Sequence, residues 1–269
     1  MINQKDFFKT YNNENLFYQS GLSWDTLIEI AQDYNEKIES FRKIAGEYVN
    51  QINIIPEVHS VSFRIKDVEH LLEKIIRKAV EYEDTDTVFN KDTYLVEITD
   101  IIGIRALYVF KSDYLPLHNK IMANYKKNFC EKPQVKLRQG DDEKIYKGLK
   151  NVEFQYGVDY RSIHYTIRYF GENNLMVPIE IQTRSIFEEG WSEINHRLLY
   201  KQNCYDIAEE IVLKKTSSIL SSLAGDCDTL GDLMRTIAEH EEDEDIIYDS
   251  AAVNGKFIID NILMDHKEE

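Results

Sequence analysis

Interleaved helical and strand-like patterns predict an α/β or α+β chain folded around one mixed sheet. Three observations carry this. Leu27, Ile30, Ala31, Tyr34, Ile38, Phe41, Ala45, Tyr48 and Ile52 recur near the 3.6-residue period of a helix. Five short apolar or β-branched runs fall at residues 58–65, 101–110, 134–138, 163–170 and 175–182. Helical periodicity returns between these runs rather than after them, so strands and helices must share one core.

Residues 1–22 read as a polar, Asn-rich lead-in. Ser23 suits the N-cap of a helix running to about Ile52, because its hydroxyl can accept from an otherwise unpaired first-turn N–H. Pro56 stops that element. The run VHSVSFRI alternates as a strand, and Asp67 is placed to cap a helix carrying Leu71, Leu72, Ile75, Ile76, Ala79 and Val80. A loop follows over 83–93. The strand at 101–110 is apolar except at Gly103 and Arg105. A helix is expected over 114–129, with Pro116 in its first turn, where the missing N–H costs nothing. Residues 134–138 form a short strand, and 139–160 read as a long polar connection. The strands 163–170 and 175–182 are joined by GENN, a hairpin loop. Residues 188–201 are helical, and 202–269 read as two or three helices with acidic outer faces. The expected divisions are a helical lead-in over 1–57, a sheet-bearing domain over 58–202 and an acidic helical extension over 203–269.

Composition narrows the function. The chain has 269 residues, 43% of them hydrophobic, enough for one sizeable core. No apolar stretch reaches membrane-spanning length, and the first residues lack the pattern of a signal peptide. Cys130, Cys204 and Cys227 are odd in number, far apart and without metal-ligand spacing, so a reducing cytoplasm fits. Net charge is −16, and residues 205–269 carry 17 Asp/Glu against 5 Lys/Arg. That balance does not suggest a duplex nucleic-acid binder, which normally shows a basic stripe. The acidic run over 239–245 reads as solvated surface, because it lacks the spacing and glycine of a Ca²⁺ loop.

Two carboxylates border the apolar runs: Asp100 in ITDIIGIRALYVF and Glu180 in MVPIEIQTR. Arg64, Lys66, Lys74, Arg77, Arg105, Arg161 and Arg184 lie close by in sequence. Acid pairs that hold Mg²⁺, ringed by Arg and Lys that hold phosphates, are what phosphoryl transfer requires. Arg64 and Lys66 are two apart on a strand and share a face. Lys74, Arg77 and Lys78 form a basic patch on one helix face.

The strings Arg-x-Lys-Asp, Asp-Ile-x-Gly-Ile-Arg, Tyr-Arg-Ser-x-His, Glu-Ile-Gln-x-Arg and Trp-x-Glu-Ile-x-His occur in this order, the last followed by Tyr-Lys. Over about residues 58–202 the chain resembles the synthetase domain of RelA/SpoT proteins, nucleotide pyrophosphokinases that make (p)ppGpp. The resemblance implies an α+β nucleotidyltransferase fold of the polymerase-β type, flanked by N- and C-terminal helices. It implies Mg²⁺ on Asp100 and Glu180, with Glu180 also the base for the attacking ribose hydroxyl. Arg64 and Arg105 would sandwich the adenine of ATP, with Lys66, Lys74 and Arg77 on its phosphates. Tyr160 would stack on the guanine of GDP or GTP. Lys150, Arg161, Ser162, His164, Gln182, Arg184, Asn195 and His196 would complete the acceptor side, with Lys144 and Lys147 as further phosphate partners.

The sequence departs from the family in two places. Asn195 stands where many relatives carry an acid, and LKNVEFQYGVDY replaces the usual turn ahead of the Tyr. Two other readings stay open: a relative that pyrophosphorylates the tRNA 3′ end or adenosine nucleotides, and a catalytically silent nucleotide sensor. No His-Asp metal pair precedes the core, so hydrolysis of the product is not expected. Assembly into a homo-oligomer through the terminal helices is possible on this pattern.

Overall fold

The computed structural model describes residues 2–82, 85–158, 160–171, 175–200 and 207–239. Among the described residues, six strands form one mixed sheet in the order β1-β2-β6-β5-β3-β4. β1 (Ser60–Ile65) runs antiparallel to β2 (Ile102–Tyr108), and β2 runs parallel to β6 (Met176–Ser185). β5 (Ser162–Phe170) is antiparallel to both β6 and β3 (Gln134–Arg138). β4 (Glu153–Val158) closes the far edge parallel to β3. Pro178 lies in β6 where only β5 is paired, since pairing with β2 starts at Ile179. A missing N–H is tolerated there.

Strict alternation gives the sheet two unlike faces. Ile102, Ile104 and Ala106 share the apolar face with Ile179 and Ile181, with Ile163, Tyr165 and Ile167, and with Val135 and Leu137. All of these are fully buried. α3 (Trp24–Asn53) packs here through Tyr34, Phe41, Ala45 and Ile52, its first turn capped by Ser23 Oγ accepting from the Thr26 N–H. α6 (Tyr114–Asn124) covers the same face, where His118 Nδ1 meets the Tyr165 hydroxyl at 3.1 Å. Burying each large apolar side chain contributes roughly 1.5–3 kcal/mol, so this layer supplies most of the fold's driving force.

The opposite face is polar. α4 (Val68–Glu81), capped by Asp67, packs against α3 and brings Lys74 to Asp100, while α7 (Ile186–Asn195) lies over β2 and β6. His196–Tyr200 continue α7 as a π-helical turn. α8 (Ile207–Glu239) packs along α7. No described helix is both long and apolar enough to cross a membrane.

Three expectations are corrected. The lead-in contains α1 (Gln4–Tyr11) and α2 (Glu14–Gln19). Their polar composition hides an aromatic cluster, in which Phe8 packs edge-on or tilted against Phe7 and Phe17, and all three rings meet Trp24 edge-on. The polar connection 139–160 contains β4, an edge strand whose unpaired side faces solvent and so needs few apolar residues. A further short helix, α5 (Tyr94–Glu97), follows the loop, and α6 stops at Asn124 rather than 129. Residues 207–239 form one continuous helix, while 201–206 and 240–269, including most of the acidic run and any further helix expected over 202–269, lie outside the described residues.

Candidate active site

The polar face of the sheet brings the sequence-derived residues together by register alone. Arg64 pairs with Gly103 across β1–β2, Gly103 with Glu180 across β2–β6, and Arg105 with Gln182. Across β5–β6, His164 pairs with Gln182. Side chains of paired residues point to the same face, so Arg64, Arg105, Glu180, Gln182 and His164 form one array. Gly103 sits at its centre because Arg64 lies across it: a Cβ there would come within 3.2 Å of Arg64 Nε.

Asp100 stands just before β2. Its Oδ2 accepts from Lys66 Nζ at 2.8 Å, and Lys74 Nζ lies 3.0 Å from Oδ1. Burial pushes this carboxyl up, but the two ammonium groups outweigh it and hold the pKa below the usual range. Burial also lowers Lys66. Glu180 accepts from His164 Nδ1 at 3.0 Å and from Gln182 Nε2 at 2.6 Å. Burial raises its carboxyl as well, yet these partners bring it down to about 2, against a small opposing push from Asp100. Both carboxylates are therefore ionised at neutral pH, each held by cationic or hydrogen-bonding partners, and Glu180 lies within the field of Asp100. Two hard oxygen donors of this kind suit a Mg²⁺ ion that keeps most of its shell for water and phosphate. Among the described residues no cluster of three or more His, Cys, Asp or Glu could hold a metal.

On the β1 side, Arg64 is exposed and Arg77 lies along α4, pairing with Glu73 and Glu81 at 3.6 and 3.3 Å. Lys78 donates to Tyr82 Oη and to the Glu97 carbonyl. Arg105 donates from Nη1 to Glu189 at 2.5 Å and to Glu193 at 2.7 Å, both on α7. Those carboxylates fix the edge of the guanidinium, which leaves a planar face available for stacking.

On the other side, Tyr160 precedes β5. Its ring lies 6.1 Å from His164 and 5.6 Å from the Arg184 guanidinium. Arg184 is almost fully buried and donates to Gln182 Oε1 and Ser192 Oγ. Ser162 is fully buried, and His164 Nε2 is buried without a partner. Asn195 turns towards α8, accepting from Ser217 Oγ at 2.6 Å. His196 is exposed at the start of the π turn. Lys144, Lys147 and Lys150 are exposed on the segment ahead of β4. Arg161 is enclosed by Asp141 and Glu188.

Sequence reasoning missed three residues on this face. Lys136 and Gln155 pair across β3–β4 and bond to each other. Glu189 joins Glu193, the acid of the Trp-x-Glu-Ile-x-His string, in tying α7 to Arg105. The alternation of QVKLR was enough to put Lys136 on the face of His164, whose strand neighbour is Gln134.

Beneath α8 lies a buried polar seam. Asp228 is 3% exposed, and burial pushes its carboxyl up to about 6 although Lys111 and Arg161 pull it down. In the unfolded chain this group titrates near 3.8. Between these values the fold binds a proton that the unfolded chain does not, so stability falls as pH rises through the window. Asp228→Asn is therefore expected to stabilise the protein by about 1–3 kcal/mol at pH 7 and to change little at pH 4. Thermal melts at both pH values check this, and an Asn variant equally or less stable at pH 7 contradicts it.

The comparisons with known proteins are consistent with this geometry. The family model described as the region found in RelA / SpoT proteins matches residues 63–205. The GTP pyrophosphokinase YwaC of Bacillus subtilis (strain 168) is 26% identical over 226 residues, covering 81% of this chain and 89% of that protein. The fold is that of small alarmone synthetase 1 from Bacillus subtilis. Its crystal structure bound to its product pppGpp superposes with a TM-score of 0.53 at 21% identity, covering 77% of this chain and 99% of that one. Its structure bound to AMPCPP gives 0.53 at 19%, covering 78% and 99%.

Proposed function

Because this chain belongs to the RelA/SpoT family, we propose that it is a nucleotide pyrophosphokinase that makes (p)ppGpp from ATP and GDP or GTP, releasing AMP. The observation that carries this reading is the polar sheet face. It holds two ionised carboxylates, Asp100 between Lys66 and Lys74 and Glu180 between His164 and Gln182. In the reaction the acceptor's 3′-oxygen attacks the β-phosphorus of ATP. The bond from that phosphorus to the α–β bridging oxygen breaks, AMP leaves with the oxygen, and the hydroxyl proton passes to a base. Glu180 is the carboxylate we assign to that proton, since it is ionised at neutral pH and paired with the strand that presents Arg105. Asp100 and Glu180 would hold Mg²⁺, which neutralises phosphate charge when bound.

The remaining roles follow from which side of the carboxylates each residue occupies. Lys66 and Lys74 already neutralise one anion and would exchange it in part for the triphosphate, with Arg77 at the rim. Arg64 and Arg105 would hold the adenine. Tyr160 would stack on the guanine, with Ser162, His164, Gln182 and Arg184 around it. Lys150, Asn195 and His196 lie further out, on the segment before β4 and at the end of α7. The catalytic unit on this reading spans 58–202 and works in the cytoplasm, where ATP and guanine nucleotides are available. The exposed row Val212, Ile219, Leu223 and Met234 on α8 supports assembly through terminal helices. Light scattering that gives a monomer at micromolar concentration would exclude such assembly.

The deciding experiment incubates the protein with ATP, Mg²⁺ and, separately, GMP, GDP, GTP or uncharged tRNA, and resolves the products. Formation of the guanosine 3′-pyrophosphate with stoichiometric AMP is expected. No AMP release with any guanine nucleotide would overturn the proposal. Removal of Mg²⁺ with EDTA is expected to stop the reaction and its return to restore it.

The donor side gives a separate expectation. Arg105→Lys keeps the charge beside Glu189 and Glu193 but loses the planar surface. Stacking of this kind contributes roughly 0.5–2 kcal/mol, so the apparent KM for ATP should rise about two- to thirty-fold. An unchanged ATP dependence in a folded variant would mean that Arg105 serves only to hold α7.

A further inference from the structure

The Arg161 guanidinium has no side open to a ligand. It donates from Nε and Nη2 to both oxygens of Asp141, each at 2.7 Å. Nη1 donates to Glu188 Oε1 at 2.7 Å and to the Ser221 carbonyl at 3.3 Å. Its partners come from three separate elements: the turn after β3, the first turn of α7, and the middle of α8. Glu188 is fully buried, and Arg161 is 7% exposed. A bidentate carboxylate pair plus a second buried carboxylate fixes both the position and the plane of this group. The next residue back along the chain is Tyr160.

Gly225 explains how α8 comes this close. A Cβ at this position would lie 2.6 Å from Arg161 Nη1 and 3.1 Å from Cζ. Glycine is among the poorest residues for a helix interior, so its place in mid-α8 has a packing reason. An arginine tip normally moves aside at little cost. This one is clamped by Asp141 and Glu188, so moving it breaks charged hydrogen bonds in a buried setting.

We infer that Arg161 is a positioning residue: clamped by Asp141, Glu188 and the Ser221 carbonyl of α8, with room left for it at Gly225, it sets the Tyr160 ring for the acceptor base rather than touching the acceptor phosphates. The inference rests on the acceptor reading of Tyr160 given above, and it makes α8 part of the acceptor site although α8 supplies no group to the reacting atoms. The consequence is specific. Disturbing the clamp weakens recognition of the base, and the number of phosphates on the acceptor does not matter. A direct phosphate contact would give the opposite pattern, with losses growing from GMP to GDP to GTP.

Arg161→Ala would leave two buried carboxylates facing each other and is expected to unfold the chain, so the test uses gentler changes. Gly225→Ala intrudes on the clamp from α8, and Asp141→Asn weakens it from the turn after β3. Each full-length variant is checked by thermal melt, then assayed for the apparent KM of GMP, GDP and GTP at saturating ATP and of ATP at saturating GDP. The expected result is a rise in acceptor KM of about fivefold or more, the lower end for loss of one base–aromatic stack. The factor should be the same for all three acceptors, with the ATP KM unchanged. Calorimetric titration with GDP alone gives the same comparison without turnover. A wild-type protein that binds GDP but releases no AMP sinks the pyrophosphokinase reading and leaves the positioning role to be judged on affinity. Unchanged GDP affinity in both folded variants overturns the positioning role, as does a loss that grows with phosphate number.

Discussion

Asp100→Asn and Glu180→Gln are each expected to abolish AMP release from ATP plus GDP while leaving the fold in place. The two substitutions keep volume and shape but remove the charge that a Mg²⁺ site needs. A loss of at least about a hundredfold is expected by analogy with removal of one preorganised electrostatic partner. The two variants should differ in stability. Asp100→Asn leaves Lys66 and Lys74 side by side without the anion that now lies within 3.0 Å of both, so its melting temperature should fall, and phosphate or ATP should restore part of the loss. Glu180→Gln keeps hydrogen-bond partners for His164 and Gln182 and should fall less. It also loses a pH dependence. The folded carboxyl titrates at about 2, against 4.5 when unperturbed, so its contribution to stability is present above 4.5 and lost as pH falls towards 2. The variant should lack that part of the acid transition. Circular dichroism separates folding from activity, and turnover within tenfold of wild type in either folded variant would remove that carboxylate from the chemistry.

The array that these variants probe was largely legible from alternation. In IGIRALY and VPIEIQTR the non-apolar positions fall two apart, which is enough to put Gly103 and Arg105, and Glu180, Gln182 and Arg184, on one face of adjacent strands. The sequence does not reveal which charges neutralise which. Lys66 and Lys74 meet on Asp100 although they come from a strand end and a helix, and Glu189 and Glu193 reach Arg105 from α7. Such pairs depend on how helices pack on the sheet, which period alone does not fix. The same limit applies to α8. Gly225 and Gly231 weaken the helical pattern locally, yet α8 runs through both, because Gly225 sits where Arg161 leaves no space for a side chain. β4 was hidden for another reason: an edge strand that faces solvent carries Glu, Gln and Tyr where a central strand carries Ile and Val.

Tyr160→Ala is expected to lose about 1–3 kcal/mol of acceptor binding, roughly a five- to 150-fold rise in acceptor KM, by analogy with base–aromatic stacking at single-stranded sites. The ring is held between His164 and Arg184, 6.1 and 5.6 Å away, and burial raises its hydroxyl's pKa despite the nearby Arg184 charge. The hydroxyl is thus neutral at any working pH, and removing it alone should matter little. Tyr160→Phe should therefore remain largely active. ATP affinity should barely move in either variant, because the donor residues Arg64, Lys66 and Lys74 lie on the β1 and α4 side of the two carboxylates. The acceptor itself is tested in the same assay. A tRNA acceptor would need phosphate contacts that a chain of net charge −16 is poorly suited to make. Activity on tRNA exceeding that on GDP, and falling steeply between 50 and 200 mM salt in the manner of roughly six or more phosphate contacts, would move the acceptor from a free nucleotide to a nucleic acid. Normal GDP kinetics in Tyr160→Ala would take the ring out of the site and, with it, the reason for clamping Arg161 beside it.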